Sequence, residues 1–384
     1  MNVYFDNNAT TPVAPEVIEA MLPFFKEQWG NPSSMHAFGG RVRRPVDKAR
    51  AQVAALLGAD PSEIVFTSCG TESDNMAIRG AVEAAGGRQT LVTSRVEHPA
   101  VLEPCRWLKE QGHALVELDV NPQGHLNLAD LQQILARGPA IISAMWANNE
   151  TGVIFPVAQM AALVKAAGGI MHTDAVQAVG KLDVDVRKTL IDMLSLSGHK
   201  LHAPKGIGAL YIRKGTRVRP LLLGGHQEGG KRGGTENVPY IVGLGQACEL
   251  VAAHLAEERT RVAALRDRLQ QGILATCPDT RVNGDLKLRL PNTVNISFQY
   301  VEGEAILYHL SDVGIAASSG SACASGSLEP SHVIRAMGVP FTAAHGSTRF
   351  SLSRYNTEAE VDYVLAQLPP IIAKLRAMSP FVKR

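Results

Sequence analysis

A lysine, an aspartate and a loop of small residues around a cysteine carry the chemistry that this sequence makes legible. Lys200 closes Leu194-Ser195-Leu196-Ser197-Gly198-His199-Lys200, an apolar strand that runs into a small-residue turn. An amine placed there is partly desolvated, which favours its neutral form and makes it a nucleophile toward an aldehyde. Ser197 and His199 flank it with a hydroxyl and an imidazole suited to a phosphate. Asp174 lies 26 residues earlier, at the end of Ile170-Met171-His172-Thr173. A carboxylate leaving a buried strand stays ionised only beside a positive partner, and a protonated heterocyclic nitrogen would serve. Gln177, three residues on, can donate a hydrogen bond from the same side. Each residue has an ordinary alternative, a helix N-cap for Asp174 and a solvated side chain for Lys200. Their combination is far more specific than either alone.

Two further features need the first two for their meaning. Gly70-Thr71 falls between a strand and a helix, where bare N–H groups and the positive helix end favour a phosphate. By itself it is an ordinary strand–helix turn. Cys323 stands in Ser318-Ser319-Gly320-Ser321-Ala322-Cys323-Ala324-Ser325-Gly326-Ser327, a composition that favours a loop over a packed strand. Alone such a cysteine is an inert thiol; beside a cofactor site it becomes a candidate nucleophile. The other cysteines, Cys69, Cys105, Cys248 and Cys277, lack that setting. The odd total of five without a C-x-x-C pair encodes neither a disulfide framework nor a zinc cluster. His199 and His202 have no third ligand nearby, so no metal site is expected.

The elements that must position these residues alternate along the chain. Val42, Val46, Ala49, Val53 and Leu56 recur at helical spacing and close on Gly58. Glu63-Ile64-Val65-Phe66-Thr67 reads as a strand, the stretch from Glu72 to Ala84 as a helix, and Thr90-Leu91-Val92-Thr93 as the next strand. The pattern repeats with strands near 114–118, 140–146, 170–174, 191–196 and 207–212 and with helical segments such as Leu128–Leu135 and Val157–Ala166. This predicts an α/β fold built on a mostly parallel seven-stranded sheet with helices on both faces, and ligands at the carboxyl ends of its strands. After the glycine-rich stretch 224–230, a long helical region to about 275, strands near 293–298 and 347–352 and a last helix near 358–377 form a smaller α+β layer. The expected division is a large cofactor domain over residues 15–250 and a small domain of 1–14 and 251–384 that carries the Cys323 loop. A composition of 45% hydrophobic and 19% charged residues reads as globular, and a net charge of +2 with 5% aromatics gives no nucleic-acid-binding stripe. The N-terminus lacks a basic segment followed by an apolar core, and no apolar run approaches the ~18 residues that span a bilayer, so a cytoplasmic protein without membrane contact is expected.

Taken together, these stretches resemble the cysteine desulfurases, pyridoxal-phosphate enzymes of fold type I with the aspartate-aminotransferase-like fold. The resemblance covers nearly the whole chain. It rests on Tyr4-Phe5-Asp6-Asn7-Asn8-Ala9-Thr10-Thr11, Gly30-Asn31-Pro32-Ser33-Ser34, Thr71-Glu72-Ser73-Asp74-Asn75, Glu97-His98, Asn148-Asn149-Glu150-Thr151-Gly152, His172-Thr173-Asp174-Ala175-Val176-Gln177, Ser197-Gly198-His199-Lys200 and the Cys323 loop. It implies that Lys200 links covalently to pyridoxal 5'-phosphate and that Asp174 pairs with the pyridine nitrogen, keeping the ring an electron sink. Gln177 and Asn149 would bound the phenolic oxygen and the substrate side. His98 would stack on the ring and shuttle protons with a near-neutral pKa. Gly70, Thr71, Ser197 and His199 would hold the phosphate, with Gly198 among the cofactor-binding residues. Thr235 would reach the phosphate of a partner subunit, which implies a homodimer. Arg349 would clamp the substrate carboxylate, with Arg354 as the alternative.

The same resemblance makes Cys323 the thiolate that takes sulfur from L-cysteine, leaving a persulfide and L-alanine. Cys69 stands where a small residue is usual, either as a second thiol of consequence or as a space filler, and His202 replaces a common aromatic residue. The Cys323 loop with Glu329-Pro330-Ser331-His332, and the stretches Arg95–Ala100 and Arg349–Asn356, are most similar to the nitrogen-fixation branch. That branch implies sulfur supply for nitrogenase iron–sulfur clusters, a NifU-type scaffold as acceptor, and transient contact of Cys323 with a cluster. The competing readings are a selenocysteine lyase or an aminotransferase on the same cofactor site, and a non-enzymatic sulfur or metal carrier.

Overall fold

The protein is described by a computed structural model covering residues 1–319 and 329–380. A short strand, β1 (Val3–Tyr4), opens the chain, and helices Pro15–Lys26 and Ala37–Leu57 follow. Then come β2 (Ile64–Thr67), β3 (Thr90–Ser94), β4 (Ala114–Leu118), β5 (Ile141–Ser143), β6 (Ile170–Asp174), β7 (Met193–Ser197) and β8 (Gly208–Ile212). These seven form one sheet in the order β2-β8-β7-β6-β5-β3-β4. Neighbouring side chains along a strand enter opposite cores: Ile64 and Phe66 join one cluster and Val65 the other, as Val92 and Leu91 do. Both faces are therefore covered, which is why these strands read as continuous apolar runs.

The sheet is mostly parallel, as expected from the alternation, and β8 is the exception. It runs antiparallel to both β2 and β7. Only residues 198–207 separate β7 from β8, too few for the helical crossover that a parallel pair requires. That short return holds Lys200. It packs close because Gly198 has no side chain: a Cβ there would sit 2.8 Å from Ile207 Cγ2 and 3.1 Å from Ala203 Cβ.

A second core lies around an antiparallel sheet of β9 (Thr280–Asn283), β10 (Thr293–Phe298) and β12 (Ser347–Ser351), in the order β12-β10-β9. A further strand, β11 (Ile315–Ala316), pairs in parallel with β1 and ties the N-terminus to this layer. Val3 and Phe5 join the second core with Val262, Leu269, Ile296, Phe350 and Val361, whereas Ala14 and Val251 pack in the first. Between the two runs one helical stretch, Val238–Thr276, whose 39 residues include a π-helical turn at Glu258–Val262. By length and composition alone this run would pass as a membrane-crossing helix, a test that a buried core helix also passes. Its apolar residues Ile241, Leu244, Ala247, Cys248 and Val251 are nevertheless buried in the core, against helices Pro15–Lys26 and Ala37–Leu57.

Candidate active site

At the carboxyl ends of β6 and β7 a cavity of about 520 Å³ gathers most of the residues singled out by the sequence. Gly70, Thr71, His98, Asn149, Asp174, Gln177, Ser197, His199, Lys200 and Arg349 all line it. Cys323 lies outside the described residues. Glu329, Pro330, Ser331 and His332 form part of the same cavity wall.

Lys200 donates from Nζ to the carbonyls of Asn8 and Ala9, the latter at 2.6 Å. Burial pushes its amine down to about 7, helped by the Arg349 and Lys181 charges and opposed by Asp6 and Asp174. A lysine so placed is largely deprotonated just above neutrality, which is the state that attacks a carbonyl. Asp174 ends β6 as a buried carboxyl whose Oδ1 accepts from the Val176 N–H at 2.9 Å. Desolvation raises it to about 6. Buried Asp74 behind it is raised well above the usual carboxylate range, by burial first and then by Asp174. This acid cluster calls for a cation.

Helix Gly70–Ala85 begins on the cavity wall, beside Val176 and Ser197. Its N-cap is Cys69, whose Sγ accepts from Glu72 N–H at 3.4 Å, while the Cys69 carbonyl accepts from Ser73 N–H at 3.2 Å. Among the described residues the Gly70 and Thr71 N–H groups find no acceptor, and neither does the buried Ser197 hydroxyl beside them. A Cβ on Gly70 would sit 2.9 Å from Val176 Cγ2 and 3.3 Å from Ser197 Cβ, so only glycine leaves this cradle open. Unpaired donors at a helix N-terminus form an anion site. A pyridine aldehyde phosphate fits these residues. The cradle would take its phosphate, the Asp174 carboxyl its ring nitrogen and Lys200 its aldehyde.

His98 departs from the expectation of a near-neutral pKa. Burial, with the charges of Lys200 and His332, lowers it to about 4. It caps helix Pro99–Glu110 by accepting from Ala100 N–H at Nδ1, 3.1 Å away. The neutral ring therefore carries its proton on Nε2. The two candidate arginines separate. Arg349, on β12, is 3% exposed and lines the cavity, with Nη2 on Asp6 Oδ1 at 2.7 Å and Nη1 on the Asn149 carbonyl at 3.0 Å. Arg354 lies over the Tyr355 ring and borders a separate cavity of about 20 Å³ on another side of Lys200. Thr235 also stands apart, in a recess of about 150 Å³ with Arg232 and Glu228.

Several residues at this site received no role from the sequence. Asn8 and Ala9 provide the Lys200 carbonyls, and Asp6 holds Arg349. Buried Glu97 accepts from Ser94 Oγ at 2.5 Å and from Met145 N–H at 3.1 Å, and burial pushes it up to about 8. Glu150 accepts from Ser331 Oγ at 2.5 Å, and His332 Nε2 lies 2.9 Å from the Glu97 carbonyl. The signal existed, because these residues lie in the very stretches that carry the family resemblance.

Known proteins resemble this chain over nearly its whole length. The chain matches the family described as Aminotransferase class-V over residues 3–364. A cysteine desulfurase of Gluconacetobacter diazotrophicus is 61% identical over 381 residues, covering 99% of this chain and 95% of the relative. The cysteine desulfurase NifS of Azotobacter vinelandii is 58% identical over the same length and with the same coverage. A solved structure described as a NifS-like protein superposes with a TM-score of 0.92 at 40% identity, covering 98% of this chain and 100% of the other.

Proposed function

Because the chain belongs to the class-V aminotransferases, and within them to the cysteine desulfurases, we propose that it converts L-cysteine to L-alanine and collects the sulfur as a persulfide on Cys323. The observation that carries this reading is the convergence of Lys200, Asp174 and the open Gly70–Ser197 cradle on one cavity. When bound, pyridoxal phosphate supplies an electron sink for the substrate. The protein's own residues do the rest. Asp174 holds a proton on the ring nitrogen, and Lys200 provides the covalent anchor and moves protons at the substrate carbon. Arg349 binds the substrate carboxylate, leaving Asp6 and the Asn149 carbonyl to orient its guanidinium. Gln177 and Asn149 bound the phenolic oxygen and the substrate side, and neutral His98 offers an Nε2 proton.

Cys323 completes the reaction through its thiolate, which attacks the substrate sulfur. The S–S bond forms as the carbon–sulfur bond breaks, and the carbon takes a proton to give alanine. Ser318, five residues before Cys323, exchanges backbone hydrogen bonds with Arg349 on the cavity wall. This fixes a residue that leads toward Cys323 beside the cavity.

The protein works as a cytoplasmic homodimer in this proposal, with Thr235 serving the phosphate of the partner subunit. The likeness of the stretch 318–332 to the nitrogen-fixation branch supports sulfur delivery to a NifU-type scaffold for nitrogenase clusters. The test is to incubate the protein with L-cysteine and map added sulfur by mass spectrometry. The persulfide is expected on Cys323, with borohydride fixing the cofactor to Lys200. Cys323→Ala should keep the cofactor absorbance and lose alanine formation. Full turnover by that variant would defeat the persulfide mechanism.

A further inference from the structure

We propose that Lys181 is a positioning residue for the Gln177 carboxamide and determines which end of that amide meets the bound cofactor. Lys181 was not singled out by the sequence, and it is 7% exposed. Its Nζ lies 3.3 Å from Gln177 Oε1 and 3.3 Å from the Gln177 carbonyl. Gln177 Nε2 in turn donates to the Asn8 carbonyl at 3.0 Å, the same carbonyl that accepts from Lys200. An ammonium has donors only, so the amide end it touches must be the oxygen. The nitrogen is thereby turned toward Asn8 and Lys200, with a second N–H left for the cavity.

A cation at this depth needs a counter-charge, and Glu258 provides one. It sits in the π-helical turn Glu258–Val262, a backbone irregularity that recurs at functional sites. Glu258 is buried, with Oε1 accepting from Arg354 N–H at 3.2 Å and Oε2 without a hydrogen-bond partner among the described residues. Lys181 and Glu258 line the cavity of about 20 Å³ that also touches Lys200, space for about one water molecule. Burial lowers the Lys181 amine to about 8, while Glu258 opposes the shift, so the ammonium persists at neutral pH. Beside the smaller direct effect of its charge on Lys200, Lys181 therefore acts on the cofactor mainly through Gln177.

This inference rests on the reading of Gln177 as a donor to the phenolic oxygen. Its test is a double-mutant cycle read by the pH titration of the visible absorbance of the protein loaded with pyridoxal phosphate. Wild type, Lys181→Met, Gln177→Ala and the double variant are compared. Loss of the phenolic donor and of a nearby cation both favour the protonated form, so Lys181→Met should raise the midpoint by about half a pH unit or more. In the Gln177→Ala background the same substitution should shift it by less than half as much. A shift of half or more in that background assigns Lys181 a direct field on Lys200 and overturns the proposal, as does no shift at all. Circular dichroism checks the fold, and Lys181→Gln takes the place of Lys181→Met if the latter does not fold. Loss of fold in both would make Lys181 structural and overturn the proposal. A wild-type protein that shows no cofactor absorbance would instead overturn the underlying assignment, and this one with it.

Discussion

The cavity has two walls of different construction. On one, Asp174 and Ser197 end β6 and β7, strands buried along almost their whole length, and Lys200 follows in a return that Gly198 allows to pack tightly. On the other, Arg349 stands on β12 while Ser331 and His332 open helix His332–Ala336, whose Val333 and Ile334 pack in the first core, and all three are held by long-range polar contacts. Interdigitated strands fix a side chain through many small contacts, so no single one decides its position. Arg349 shares that support, since β12 is buried along its length, but Ser331 and His332 lie outside any strand and rest more heavily on their individual hydrogen bonds. The proposed cofactor residues Asp174, Ser197 and Lys200 belong to the first wall, and the described residues on either side of the stretch that holds Cys323 meet the second. In the proposed mechanism, chemistry that needs unchanging geometry is thus separated from a nucleophile that must reach in and then hand its sulfur on.

The sharpest way to test this contrast is Asp174→Asn. The backbone and the volume are kept, while the charge that holds the ring proton is lost. Alanine formation should fall by roughly 10²–10³-fold, the range for removing one preorganised electrostatic partner. Steady-state assays checked against cofactor absorbance would show it, because the Gly70–Ser197 cradle and Lys200 should still retain the cofactor. A loss below about tenfold would remove the special standing of the sheet wall.

A second substitution addresses the other wall. Ser331→Ala leaves the buried Glu150 carboxylate without its donor at 2.5 Å. An unsatisfied buried acceptor costs about 1–3 kcal/mol, so the urea midpoint should fall with little change in cofactor absorbance. Burial holds the Glu150 carboxyl above its ordinary pKa, opposed by the Ser331 bond. The penalty applies to the ionised form. The deficit should therefore be full well above the folded pKa of Glu150 and shrink as the pH falls through it. A deficit that does not vary with pH would mean that the hydroxyl acts only through the helix cap it also makes with Val333 N–H at 3.1 Å.

How much of this could be read from the sequence follows the same division. Lys200, Asp174 and the Gly70 cradle were legible because each is a local event, an apolar strand meeting a small-residue turn. The partners that complete them were not. Asn8 and Ala9 reach Lys200 across about 190 residues, and Asp6 reaches Arg349 across 343. Spacing along the chain carries no information about such contacts. The choice between Arg349 and Arg354 also needed the fold, since the arginines are five residues apart in sequence yet border different cavities. For His98 the residue was legible but its titration was not, because desolvation depends on what packs around the ring. The antiparallel run of β8 escaped the alternation pattern for a similar reason, as direction depends on the length of the return and not on strand composition.

The smallest expected effect concerns Cys69, a cysteine on the sheet wall itself. Its thiol lines the cavity beside the phosphate cradle and could in principle compete for sulfur. Its Sγ, however, already serves as the N-cap acceptor for Glu72 N–H at 3.4 Å, a long contact that a hydroxyl oxygen would improve. Of the other described cysteines, Cys105 and Cys248 are pushed up to about 12 by burial and Cys277 is raised as well, so none of the three offers a thiolate. Cys69→Ser should therefore leave alanine formation and the persulfide on Cys323 unchanged while stabilising the helix start by about 0.5 kcal/mol, measured as a shift in the urea midpoint. Appearance of the persulfide at Cys69 in the wild-type protein would break the contrast between the walls, because sulfur would then be held on the rigid side.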